Sequence, residues 1–223
     1  KLGRLSGGGL VVLALTITFA AVDWVMSLDP TWYSTIFGMS FMVGHLLAAF
    51  SFSIIILVVI SRTRPVADVL SVIPLRDLGN LLLAMTMLWA YLSFSQFLLI
   101  WSGNLREEVT FYVPRMQGAW GFVSLVLVIF HFFLPFFLLL MRPIKDRPKT
   151  IIMVASLVLL MHLVDLTWIV VPSSRVGPPF HWLDVLTPIG LIGVWFGLFA
   201  NRLKQREPLP MGDAFVREAL SHG

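Results

Sequence analysis

The sequence predicts an all-α fold: a polytopic transmembrane helical bundle of six spans that includes a four-helix bundle. Three observations carry that prediction. Apolar residues run in blocks of about 20, the length needed to cross ~30 Å of hydrocarbon at ~1.5 Å per residue. Only 13% of the 223 residues are charged and 58% are hydrophobic, against ~25% charged in a soluble domain. Lys and Arg concentrate in alternate connections. Lys1 and Arg4, then Arg62, Arg64 and Arg76, then Arg142, Lys145, Arg147 and Lys149, then Arg202, Lys204, Arg206 and Arg217 fall on one side. The other side holds only Arg106, Arg115 and Arg175. By the positive-inside rule the first set is cytoplasmic, so both termini lie inside and six crossings close. The net charge of +4 is thereby topological and calls for no nucleic acid.

The spans are expected at roughly 8–27, 36–60, 78–101, 118–141, 150–171 and 182–201, within one transmembrane domain over 1–223 whose residues 202–223 form a cytoplasmic tail. The first runs outward through VVLALTITFAAVDWVMS and ends at Asp29-Pro30. Its outer loop places Trp32 and Tyr33 where amphipathic rings favour the headgroup level. The second span carries Gly44, Ala48 and Ser51 on one face, which lets a neighbouring backbone approach. The next inner loop, with Pro65 and Pro74, suggests a short interfacial segment. In the third span Tyr91, Ser93, Ser95 and Gln96 occupy the outer half.

The following loop mixes Arg106, Glu107, Glu108 and Arg115 with Phe111 and Tyr112, as an amphipathic helix lying in the interface would. In the fourth span Pro135 lacks an N–H and clashes with the carbonyl four residues back, that of His131. In the sixth, Pro188 bears the same relation to Asp184. The Phe and Met of the third and fourth spans read as lipid-facing or packing surface.

The first methionine is Met26. A signal peptide would put a cleavage site where Asp23 stands, so a first span of a longer protein fits better. With no cysteine, thiolate-held iron–sulfur clusters, covalent c-type haem and disulfides are excluded on this chain.

Ionisable side chains inside the spans carry the functional signal, since each costs roughly 2.5–3.5 kcal/mol or more at a helix centre. Asp23, His45 and Asp184 fall in the outer third, His131 near the middle, and His162 with Asp165 from the middle outward. His162 and Asp165 are three apart, on one helix face and within reach of each other. The inner halves offer Thr16, Ser51, Ser53, Asn80, Thr86 and Ser156 but no buried acid or base. The set outlines a proton half-channel open to the outside. Structural roles stand beside it: His45 as a hydrogen-bonded packing residue, Asp23 as a helix-end acid, Asp184 as a partner of a helix N-terminus.

A quinone or quinol is the alternative tenant. It needs an aromatic, apolar slot with one or two polar partners, which Tyr91 with Gln96, or His162 and Asp165 with Trp168, could supply. A b-type haem on two of the three histidines is disfavoured, because no pair of helices repeats a matched spacing. A scaffold whose polar groups are satisfied internally is a further class. A transporter of inverted repeats lacks its paired broken helices. No catalytic residue and no metal site is assigned.

The stretches TFAAVDWVMSLDPTWYSTIFG and WSGNLREEVTFYVPRM resemble the F subunit of alternative complex III, the bacterial quinol:cytochrome c oxidoreductase, within the polysulfide-reductase C/NrfD-like family. The resemblance runs over essentially the whole chain. It implies about ten spans in two four-helix bundles, of which this chain is the C-terminal part, its second to fifth spans forming the second bundle. It also implies a place in the bacterial inner membrane. The implied partners are a sister NrfD-like membrane subunit, a periplasmic iron–sulfur subunit, c-type haem subunits, often a haem–copper oxidase, and lipids. In that family the quinol site beside the iron–sulfur subunit is assigned mainly to the sister subunit. The F subunit is a candidate for proton translocation and is often named as quinone-binding, with no cofactor held covalently.

Overall fold

A computed structural model describes residues 2–62, 75–174 and 181–205. Among these, helices account for nearly all the chain and no strand occurs. In order they are α1 (Leu2–Trp24), α2 (Phe37–Val59), α3 (Leu75–Gly103), α4 (Arg106–Val109), α5 (Tyr112–Met116), α6 (Gly118–Leu140), α7 (Arg142–Asp146), α8 (Pro148–Ser174) and α9 (Trp182–Gln205). Two single turns of tighter helix, Met26–Leu28 and Ile60–Arg62, follow α1 and α2. Helices α1, α2, α3, α6, α8 and α9 are long and apolar enough to cross a bilayer, and the chain is a multi-pass integral membrane protein. Helices α3 and α8 outrun their apolar blocks by a turn at the ends, because polar residues such as Arg76 and Lys149 continue the helix into the headgroup layer. The expected interfacial segment around Pro65 and Pro74, Arg175 and the tail beyond residue 205 lie outside the described residues.

Two apolar clusters at opposite ends fix how the helices run. Ile54 and Val58 of α2 meet Leu82 of α3, Leu139 of α6 and Ile151, Val154, Ala155 and Val158 of α8. We call this the basic end, because α7 and the start of α8 bring Arg142, Lys145, Arg147 and Lys149 there. At the far end Ala21 and Val25 pack with Trp32, Phe37, Ile100, Phe111 and Tyr112. Helices α1, α2, α3, α6 and α8 thus alternate in direction along the chain. Helices α2, α3, α6 and α8 form the four-helix bundle, which are the second to fifth spans. α1 lies against the outside of α2, where Gly38 admits Thr18. α9 meets the bundle through Trp195 and Phe199 against Phe52, and buries no residue of its own.

The basic end is tied by side chains. The Nζ of Lys145 donates to Asn80 Oδ1 at 2.6 Å, and its stem crosses α3 at Gly79, where a Cβ would stand 2.6 Å from the lysine Cγ. Arg76 forms a two-pronged bond to Asp146 at 2.9 and 2.7 Å and holds that carboxyl below the usual carboxylate range.

Helix α6 is not uniform. Residues Leu127–Phe133 are wound as π-helix, and the N–H of Leu134 reaches the carbonyl of Ile129, five residues back. Pro135 explains the place: it has no N–H to give and its ring would strike the carbonyl of His131, so the turn before it widens.

The far-end loop departs from expectation. It forms two short helices, α4 and α5, where one was expected, and Phe111, Tyr112 and Arg115 are buried. Trp32 is no headgroup anchor. It is 3% exposed and stacks on Phe111 at 4.0 Å, whereas Tyr33 is exposed. The chain enters α6 through Gly118, whose φ of +54° falls in the left-handed region that only glycine occupies without strain.

Candidate functional site

Between α2, α3, α5, α6 and α8 lies a cavity of about 790 Å³, toward the far end of the bundle. Its walls are chiefly aromatic and aliphatic, among them Phe41, Phe97, Phe132 and Leu166. It exists because α3 and α6 pack together near Leu139 and part where α6 is π-wound. Tyr91 and Phe94 of α3 line it while remaining 66% and 61% exposed, and Leu125, Val128 and Phe133 of α6 do the same across the gap. The mouth is therefore lateral, between α3 and α6. The Phe and Met of α3 and α6 are not merely lipid surface, since Met87, Phe94, Phe97, Phe132 and Phe133 also form its walls.

The polar residues that the sequence offers for a quinone line the wall from two helices, and Ser40, Tyr112 and Ser124 add to them from α2, α5 and α6. Tyr91 and Gln96 lie on α3, and His162, Asp165 and Trp168 on α8. Gln96, His162 and Asp165 are buried. His162 and Asp165 share a face, as their spacing requires, but they are not hydrogen-bonded to each other: neither ring nitrogen of His162 has a partner among the described residues. Asp165 is instead approached by the indole N–H of Trp89. The His162 ring sits edge-on to His45, with centroids 5.1 Å apart, and 6.4 Å from His131. Gly44 makes this possible, because a Cβ there would stand 3.0 Å from Cε1 of His162.

His45 bonds through Nδ1 to the carbonyl of Phe41 at 2.8 Å, the packing role its position allows. His131 is fully buried behind Trp89, ring centroids 4.0 Å apart, and its nitrogens too lack partners among the described residues. Three imidazoles and one carboxyl from α2, α6 and α8 thus meet in one cluster beside the cavity.

The other two acids of the expected path lie elsewhere. Asp23 is exposed at the end of α1. Asp184 sits in the first turn of α9, where its Oδ2 accepts the N–H of His181 at 2.9 Å. That is the helix-start role of a first-turn acid. The structure does not bring either acid to the cluster.

Two residues that the sequence pattern did not single out complete the site. Trp89 lies beside both Asp165 and His131. Arg115 is 1% exposed and its guanidinium lies 3.6 Å above the ring of Phe111. It donates to the carbonyls of Phe111, Trp168 and Ile169 and to the Ser173 hydroxyl. Burial lowers it to about 10, so it stays charged at neutral pH, and burial also pushes the Tyr112 phenol up. The signal in the sequence was an arginine set among aromatics on the side poor in basic residues. No protein-family model and no curated protein matches the chain.

Proposed function

We propose that this chain is a quinone- or quinol-binding membrane subunit of a respiratory quinol-oxidising complex, akin to the F subunit of alternative complex III. One observation carries the proposal: a single lateral cavity gathers Tyr91, Gln96, His162, Asp165 and Trp168 from two helices. Its volume, about 790 Å³, falls within the ~300–1,000 Å³ usual for small-molecule sites, and its few convergent polar groups in an apolar wall suit a ring with two oxygens. A lateral mouth between two spans suits a ligand dissolved in lipid, its tail remaining outside between Tyr91, Phe94 and Phe133.

Quinol oxidation gives up two electrons and two protons. Without a cysteine, the centres that take the electrons are assigned to partners: an iron–sulfur subunit, c-type haem subunits and a haem–copper oxidase, alongside the sister membrane subunit. The residues of this chain orient the headgroup and hold protons, with Gln96 and the Tyr91 hydroxyl as donors and Asp165 and the His162 imidazole as acceptors. The proposed setting is the bacterial inner membrane with both termini in the cytoplasm.

A second reading, proton conduction from the outside, is favoured by the convergence of His45, His131, His162 and Asp165. It keeps those four and drops Asp23 and Asp184 from the path. Asp165→Leu in the intact complex separates the two. If the cavity is a quinol site, binding of a decyl-tailed benzoquinol weakens about tenfold, because the ring hydroxyl that donates to Asp165 is left without an acceptor. If the cluster only conducts protons, binding persists and the proton/electron ratio falls. Unchanged binding together with an unchanged ratio overturns both.

A further inference from the structure

Pro172 lies inside α8, and an α-helical residue at that position would donate its N–H to the carbonyl of Trp168. Proline has no N–H, so the Trp168 carbonyl loses its helical donor. The Nε of Arg115 takes that place at 3.0 Å, its Nη2 donates to both the neighbouring Ile169 carbonyl and the Ser173 hydroxyl, and its Nη1 to the carbonyl of Phe111. An isolated cation would not be buried this deeply without reason, and no carboxylate lies within ion-pair distance among the described residues. Its charge is met by carbonyl dipoles and by the face of Phe111.

The bonds return to their start. The indole N–H of Trp168 donates to Ser124 Oγ at 2.8 Å, and the Ser124 hydroxyl lies 2.8 Å from the carbonyl of Arg115 itself. A closed circuit thus joins α5, α6 and α8. Phe111, Tyr112, Ser124, Trp168 and Ile169 all line the cavity, and Arg115 does not. We propose that Arg115 is the positioning residue of this cavity: it supplies the donor that Pro172 withholds and so fixes Trp168 and Ser124 as the far wall against which the ligand ring lies. The ligand's chemical class rests on the function proposed above; the Arg115–Pro172 compensation does not.

The compensation makes a reciprocal prediction. Arg115→Gln removes the fork and leaves the Trp168 carbonyl without a donor. Pro172→Ala restores an N–H within the helix, so the double variant regains what the single variant loses. Arg115→Lys does not, because an ammonium lacks the planar fork that reaches two carbonyls and a hydroxyl together. Two measurements are made on the full chain in detergent: binding of a decyl-tailed benzoquinone, and amide exchange over residues 163–174. Arg115→Gln is expected to weaken the probe about tenfold or more and to speed exchange. Adding Pro172→Ala is expected to bring both back to within about threefold of wild type.

Arg115→Gln with wild-type affinity and exchange overturns the proposal. So does a folded double variant that recovers neither. If Arg115→Gln alone does not fold, recovery of a folded, binding-competent protein by Pro172→Ala supports it, and failure to recover sinks it. A wild-type chain that does not bind the probe refutes the quinone reading instead, while exchange still decides the Arg115–Pro172 link.

Discussion

A Cβ on Gly79 would stand 2.6 Å from Cγ and 2.8 Å from Cδ of Lys145, too close to the root of that side chain to be relieved by a small swing. Gly79→Ala should therefore expel the lysine stem and break its bond to Asn80. Such overpacking costs about 1–3 kcal/mol, to be read as a lowered denaturation midpoint in detergent, with quinone-probe binding retained because the site is at the other end. At the same scale, sequence reasoning finds His45, His131, His162 and Asp165 because a charge-capable group in hydrocarbon is conspicuous by itself. Partners are another matter. A three-residue spacing puts His162 and Asp165 on one face, yet cannot say that Asp165 meets Trp89 and that His162 meets His45. Those contacts depend on how α2 and α3 pack, and Gly44 is the residue that sets the distance. Trp32 was misjudged for the same reason: an aromatic near a span end suits the headgroup layer until another aromatic, Phe111, offers it a stack.

The helix is the unit at which α6 makes the cavity. Its seven π-wound residues end at Phe133, two residues before Pro135, and the mouth opens alongside them. Pro135→Ala restores a donor and removes the clash, so α6 can close to an ordinary helix against α3. The expected outcome is slower amide exchange over residues 127–135 and slower association of the quinone probe. Exchange and association both unchanged would mean that packing, not proline, holds the wide turn. Span positions were legible from the apolar blocks to within about a turn, apart from the start of α1 at Leu2, well ahead of the expected residue 8, since length and hydropathy alone decide them. The π turn was legible only as a kink at Pro135. The burial of Arg115 was not legible, because it rests on carbonyls of α8 that no local pattern in the loop announces.

At the scale of the whole molecule, the alternation of basic residues is testable because the chain has no cysteine of its own. Single replacements Arg142→Cys and Glu107→Cys put one thiol at each end of the bundle. In sealed inverted vesicles, where the cytoplasmic face is outward, an impermeant maleimide should label the first and spare the second; the reverse pattern would invert the topology. The two ends also differ in substance. The basic-end half is filled by Ile54, Leu82, Leu139, Ile151, Val154 and their neighbours, with the buried stem of Lys145 bonded to Asn80, whereas the cavity and the histidine cluster occupy the other half. The far end is closed in its turn by Trp32, Phe37, Ile100, Phe111 and Tyr112. Packed side chains therefore separate Asp165 from both ends, and the gap between α3 and α6 is the open side of the cavity. On the function proposed above, a ligand that enters by that gap carries its protons in and out with it.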